Sequence, residues 1–351
     1  MFDTFYCFST PKEEAEDDLE RLRQQHEDDE FDFEPEPLPA DLYGVSISSL
    51  IKDVRKLAIR ADSVGLRVGR AITTVSTLWM TLMMQVFMIY EFKRLVSSSS
   101  VHQIREVYSE YELWMYQGNT TYTDNGYHRG IEGFFNPDRF EDMPSYINKN
   151  FVCSILLSQP YFAVCILLIW SSTVVVDLRE VFNYGQLLLL RTDTVSTASE
   201  MLVQQDDIVA VLRGLTLEFK ALLLFCIFLP RLAIDLTLLW LGCRWLTSTA
   251  DFSQVLLDTI ALEFILELKT LIYIAYVPSR TRYETSHMLV PLKRRSKKEC
   301  MEYMGSFVWL VVVFTWVFVY LGWLQCVLPG YRWDIQDVCA DYVDKLTALH
   351  A

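Results

Sequence analysis

Apolar and polar positions fall in long alternating blocks along this chain. A helix needs about 20 mostly apolar residues to cross the hydrocarbon of a bilayer. Five segments approach that length: AITTVSTLWMTLMMQVFMIYEF (71–92), FVCSILLSQPYFAVCILLIWSSTVVV (151–176), the stretch 221–242, FSQVLLDTIALEFILELKTLIYIAYV (252–277) and GSFVWLVVVFTWVFVYLGWLQCV (305–327). The last carries no charge, whereas the fourth carries Asp258, Glu263, Glu267 and Lys269. The pattern predicts an all-α fold, an integral membrane helical bundle of about five transmembrane helices.

The basic residues give these spans a direction, because Lys and Arg near span ends favour the cytoplasmic side. Lys52, Arg55, Lys56, Arg60, Arg67 and Arg70 precede the first span, and Arg280, Arg282, Lys293, Arg294, Arg295, Lys297 and Lys298 lie between the fourth and fifth. Both groups can be cytoplasmic only if segment 252–277 crosses. The expected topology therefore has the N-terminus inside, an outer loop at 93–150 with a helix near 101–115, and an outer tail at 328–351. The membrane is a plasma membrane or an endomembrane.

Between the tail and the first span, apolar Ile47, Leu50, Ile51, Val54, Leu57 and Val64 recur at helical spacing with basic residues interleaved. Residues 42–70 are thus predicted to form a basic amphipathic helix lying on the membrane surface, against anionic lipid head groups. A calmodulin-type target is the sharper alternative. The GxxxG of Gly65 and Gly69 falls at the membrane edge, where it has little value as a helix-packing face. DLREVFNYGQLLLLR (177–191) is expected to prolong the second span as a helix.

Composition changes the picture at the N-terminus. The chain is 52% hydrophobic with mean hydropathy +0.19, yet has a net charge of −14. Residues 1–41 hold fifteen Asp/Glu and three Lys/Arg, so almost all of that acidity belongs to one tail. Such a segment cannot bury enough apolar surface to offset its ordering entropy, and it reads as disordered. It either solubilises the chain or docks a basic partner. No secretory leader is apparent, so the first span is expected to direct insertion.

The outer loop contains NTT at 119–121, which makes Asn119 a candidate glycosylation site. Cys153, Cys243, Cys326 and Cys339 fall on the predicted outer side, where disulfides form; three pairings are open, and small apolar thiols also suit membrane helices without bonding. TYTDNGYHRGIE (121–132) has the glycine and final glutamate of a calcium loop but Thr121 and Thr123 where carboxylates are needed. No metal or cofactor is expected.

The third span poses the chemical question, since FLPRLAIDLTLLWLGC (228–243) places Arg231 and Asp235 in its middle. Each charge costs about 2.5–3.5 kcal/mol at a span centre, which cancels the roughly −6 kcal/mol from thirteen Leu, Ile and Phe between 221 and 242. Arg231 and Asp235 are four apart and can pair. Pro230 frees the carbonyl of Cys226. An antiparallel fourth span would bring Glu263 and Glu267 level with Arg231, with Lys269 snorkelling away. Arg231, Asp235, Glu263 and Glu267 are therefore the candidate intramembrane charge network.

FKALLLFCIFLPRLAIDLTLLWLGCRWL and LDTIALEFILELKTLIYIAYVPSRTRYET lie in a region, about 175–285, that resembles uncharacterised multi-pass membrane proteins of dinoflagellate algae. The resemblance implies a shared membrane core and no activity.

Catalytic patterns are missing. GxxxxGK[ST], GxSxG and HExxH do not occur, and His26, His102, His128, His287 and His350 are scattered. An enzyme is not expected. The run KRRSKKE (293–299) suits lipid head groups rather than nucleic acid. Two function classes remain. One is a channel- or transporter-like protein using the charge network, assembled as a homo-oligomer because five spans are few for a monomeric carrier. The other is a non-catalytic membrane scaffold or receptor-like interaction protein whose charges are structural.

Overall fold

The computed structural model describes residues 33–38, 41–59, 64–94, 98–204, 210–293 and 300–350. The expected disorder of the acidic tail falls almost wholly outside these residues, as do Arg60 and most of the KRRSKKE run.

Helices dominate. In chain order the elements are β1 (Phe33–Pro37), α1 (Leu42–Ile59), α2 (Val64–Phe92), α3 (Ser98–Met115), β2 (Thr120–Tyr122), β3 (His128–Gly130), α4 (Lys149–Ser154) and α5 (Pro160–Gly185). They continue with β4 (Leu202–Gln204), β5 (Ala210–Leu212), α6 (Leu217–Leu223), α7 (Leu229–Thr247), α8 (Phe252–Tyr276), α9 (Ser279–Ser286), β6 (Met288–Lys293), α10 (Cys300–Val319) and α11 (Ile335–His350). Wider π-helical turns prolong α5 (Gln186–Arg191), join α6 to α7 (Leu224–Phe228) and prolong α10 (Tyr320–Leu324). The turn before α7 falls where Pro230 can neither donate to the Cys226 carbonyl nor avoid it sterically.

Four helical stretches are long and apolar enough to cross a membrane: Val64–Phe92, Pro160–Arg191, Leu217–Thr247 and Gly305–Leu324. Their outward faces match that use. Met83 and Phe87 on α2, and Phe307 and Phe318 on α10, are all exposed, and only 22% of the most apolar window of α10 is buried. An outer surface this apolar has no counterpart in a monomeric water-soluble bundle.

The second span does not begin at 151. Residues 149–154 form the separate helix α4, with Asn148 as N-cap accepting from the Phe151 N–H at 3.2 Å, and a 3₁₀ turn follows at Leu156–Ser158. Pro160 then opens α5 at its first position, where its missing N–H is no loss. The long helix thus runs to Arg191, as its extension predicted, and takes Asp177, Arg179 and Glu180 into its body.

The two ends of the bundle are built differently. At one end β1, β6, β5 and β4 form a sheet in that order, with β1–β6 and β4–β5 antiparallel and β5–β6 parallel. That sheet unites the segment before α1, the α5–α6 connection and the segment after α9. At the other end stand α3, the β2–β3 hairpin, α4 and α11, tied by a Cys153–Cys339 disulfide with Cα atoms 5.3 Å apart. The helix α8 runs from the second end to the first. These short strands are the only departure from an all-helical architecture among the described residues.

The segment 42–70 is not a single surface helix. Residues 42–51 of α1 are buried without a break, and Val64–Arg70 belong to α2. Tertiary packing overrides the amphipathic pattern here: α1 is enclosed by α2, α8, α9 and β4. Ser48 Oγ meets Thr285 Oγ1 at 3.1 Å, Lys52 pairs with Glu284 at 3.5 Å, and Asp53 pairs with Arg67 at 3.7 Å.

Candidate functional site

Four elements deliver charge to one place inside the bundle. From α5 come Asp177 and Glu180, from α7 Arg231 and Asp235, from α8 Lys269, and from the start of α1 Asp41 with Tyr43. Arg231 Nη2 donates to Asp177 Oδ1 at 2.6 Å and to Glu180 Oε2 at 3.1 Å, while Nη1 reaches Asp41 Oδ2 at 3.5 Å. Lys269 Nζ donates to the same Asp177 Oδ1. The guanidinium carbon sits 4.4 Å from the centre of the Tyr43 ring. Asp41 Oδ1 accepts from the Gly44 N–H at 2.7 Å, so one carboxylate both caps α1 and faces Arg231. Burial pushes the Asp41 carboxyl up from its ordinary range and Arg231 opposes that shift.

The centre of the cluster is enclosed, with Arg231 3%, Asp235 2%, Asp177 7% and Lys269 8% exposed, while Asp41 is partly buried and the Glu180 side chain is half exposed at its edge. Such charges persist in a low-dielectric interior only when paired and hydrogen-bonded. Asp177 and Arg231 meet that demand through alternation, Asp177 sitting between two cations and Arg231 among three carboxylates and an aromatic face, although Arg231 Nε is left without a hydrogen-bond partner.

The candidate network differs from the one the spacing suggested. Arg231 is central as expected, and Asp235 is buried nearby. No ion pair joins Arg231 to Asp235, however, and Asp235 Oδ2 has no hydrogen-bond partner. The arginine reaches across to α5 instead of along its own helix. Glu263 and Glu267 are exposed, and Lys269 points inward where it was expected to turn away. The buried face of α8 over this stretch carries Leu262, Ile265, Leu266, Leu268, Lys269, Ile272 and Tyr273, at helical spacing, and that phase puts both glutamates outside. Asp258, nearer the start of α8, is buried and accepts from Thr249 Oγ1 at 2.7 Å and Gln254 Nε2 at 2.8 Å.

Sequence reasoning missed Asp177, Glu180 and Asp41. The signal for the first two was present in Pro160, which sets the helix start and shifts the apolar stretch toward them. Asp41 offered none, since it ends an acidic run and only the return of the chain through β1 and α1 brings it inside.

A second polar cluster lies at the disulfide end. Glu112 on α3 accepts from Arg129 Nη1 at 2.5 Å, and Arg129 Nε donates to the Pro329 carbonyl at 2.6 Å. Asp334 accepts from Tyr108 Oη at 2.6 Å and Tyr116 Oη at 3.2 Å. The Arg129 guanidinium lies 4.4 Å above the Tyr108 ring. Burial pushes the Glu112 carboxyl up to about 7 and raises Asp334 as well, with Arg129 opposing both shifts.

Of the four cysteines expected on the outer side, Cys153 and Cys339 are bonded to each other, while Cys243 (buried) and Cys326 (exposed) are free thiols. Asn119 is exposed at the turn into β2. Residues 121–132 form the β2–β3 hairpin and its flanks. Among the described residues no group of three His, Cys, Asp or Glu is placed to hold a metal ion. No protein-family model, curated protein or solved structure matches this chain.

Proposed function

We propose that this chain is a non-catalytic, five-span membrane protein of scaffold or receptor type, in which the charge cluster locks four helices and the sheet end faces the cytoplasm. What carries the reading is the closed pairing of Arg231 with Asp177, Glu180 and Asp41, together with the outward direction of Glu263 and Glu267. A conduction path through this site would need carboxylates free to accept a passing ion; here each charge-bearing partner of Arg231 is occupied, and α1 covers the cluster from the sheet end.

The fifth crossing, by α8, is supported by the sheet. Strands from before α2, between α5 and α6, and after α8 meet in it, and this requires an even number of crossings between each of those segments. The same count leaves Cys153 and Cys339 together on the opposite, oxidising side. The basic α9 region and α1 then lie at the cytoplasmic surface, where anionic lipid attracts them. The experiment is cysteine accessibility in sealed, oriented vesicles. Tyr283→Cys, in α9, should react with an impermeant maleimide only from the side that exposes an N-terminal tag. Reaction from the opposite face would remove the α8 crossing.

A transport role is the second reading. Its specific support is a cleft between α5, α8 and α10 that reaches Asp177 and Lys269 from the side of the bundle. Flux in proteoliposomes that is abolished by Arg231→Gln in a folded protein would favour it; absence of flux in the parent protein favours the scaffold.

A further inference from the structure

The cleft has a volume of about 930 Å³, with α5 as its floor and α8 and α10 as walls. Much of its length is apolar: Leu168, Ile169, Val176, Leu310, Val313 and Phe314 line it. One end is charged. Asp41, Asp177, Glu180 and Glu267 line that end together with Arg179 and Lys269, and Arg231 stands behind them. A site that is apolar along its length and ionic at one end fits an amphiphile better than a hydrated ion.

The sign of the head group follows from which charges are already used. Lys269 and Arg231 are committed to Asp177, and Arg231 also to Glu180 and Asp41. Glu267 makes no ion pair among the described residues. With α5 and α8 running toward the same end, Arg179 lies about 3 Å beyond Asp177 on the sheet side and Glu267 about 3 Å before Lys269 on the apolar side. Four carboxylates against three cations leave the cleft short of one positive charge; of its two charges uncommitted among the described residues, Arg179 lies on the sheet side and Glu267 is the one that meets the apolar stretch.

We propose that this cleft binds an amphiphile with a primary ammonium head, its chain along the α5–α10 wall and its ammonium against Glu267. The proposal rests on the membrane reading above and goes beyond it by naming a ligand class. A bilayer lipid with an ethanolamine head and a free long-chain amine share this chemistry.

The test uses the full chain in phosphatidylcholine nanodiscs. Three diazirine-bearing probes are compared: hexadecylamine, palmitic acid and an ethanolamine phospholipid. A fourth, a phosphatidylcholine probe, reports general lipid contact. The amine should label peptides of α5 and α10 about tenfold more than the acid, the factor expected from one charge-assisted hydrogen bond. Glu267→Gln should abolish that preference, and Leu310→Trp should block labelling of the cleft by filling it. Equal labelling by the ethanolamine lipid would identify a bilayer lipid as the occupant; labelling by the amine alone would identify a free amine. Equal labelling by acid and amine, or a preference that survives Glu267→Gln, overturns the proposal. If the phosphatidylcholine probe fails to label the Met83 and Phe87 face of α2, the membrane reading itself falls and the ligand with it. Labelled α2 without an amine preference removes the cleft proposal alone.

Discussion

Replacing Arg231 with methionine tests the charge cluster most directly. The substitution keeps an unbranched side chain of similar reach and removes the charge that three carboxylates share, at 2.6, 3.1 and 3.5 Å. Breaking a buried pair from one side costs about 3–5 kcal/mol, because the partner charge stays buried. Two features of this site adjust that figure in opposite directions. Lys269 still neutralises Asp177, which reduces the loss; the contact with the Tyr43 ring disappears, which adds about 0.5–2 kcal/mol. The expected destabilisation is therefore about 3–4 kcal/mol, a shift of more than a hundredfold in the unfolding equilibrium. Reversible SDS unfolding in mixed micelles, followed by tryptophan fluorescence, gives the free energy. Reactivity of the buried Cys243 thiol gives an independent readout. A double-mutant cycle with Asp177→Asn should return a coupling of at least about 1.5 kcal/mol, since the two side chains touch. Glu263→Gln and Glu267→Gln, exposed and outside the cluster, should each change stability by no more than about 0.5 kcal/mol. A loss below about 1 kcal/mol for Arg231→Met, with a larger loss for either glutamine variant, would refute the pairing described here and restore the glutamates as its partners.

Three other predictions concern the rest of the fold. Glu112 is enclosed with its carboxyl raised to about 7, so the folded state holds a proton that the unfolded state releases above about 4.5; stability of the disulfide end should fall by about 3 kcal/mol as pH rises from about 4.5 to 7, and Glu112→Gln should flatten that slope in hydrogen exchange of α3. Loss of the Cys153–Cys339 bond, which closes 186 residues, should cost about 2–4 kcal/mol in Cys153→Ser, less than a free-coil estimate because, on the membrane reading proposed above, helices held in a bilayer already restrain the chain ends; mass mapping of the parent without reductant should find this pair bonded and Cys243 and Cys326 free. Gly242 faces the buried Trp170 indole so closely that an added Cβ would overlap it, and Gly242→Ala should destabilise by about 1–3 kcal/mol in the same SDS titration.

Sequence alone determined what composition and long-range apolar blocks can carry. It predicted five spans, four of which overlap the helices long and apolar enough to cross a membrane, marked α8 as the charged one, and singled out Arg231 as an anomaly needing partners. It also confined the disulfide to four cysteines. These are properties of one helix at a time, readable because a bilayer demands about 20 apolar residues per span whatever the neighbours do. Which side chains meet was decided by tertiary structure. The start of α5 at Pro160 turned Asp177 from a flanking residue into a core one, and the rotation of α8 chose Lys269 over Glu263 and Glu267. Enclosure of α1 brought Asp41 and Tyr43 to Arg231 from a segment that read as surface and tail. Pairing between helices depends on their phase and offset, and a shift of two residues turns a helix face by more than half a circle. A charge four residues away on the same helix was therefore an obvious partner for Arg231, and packing against α5 supplied a better one.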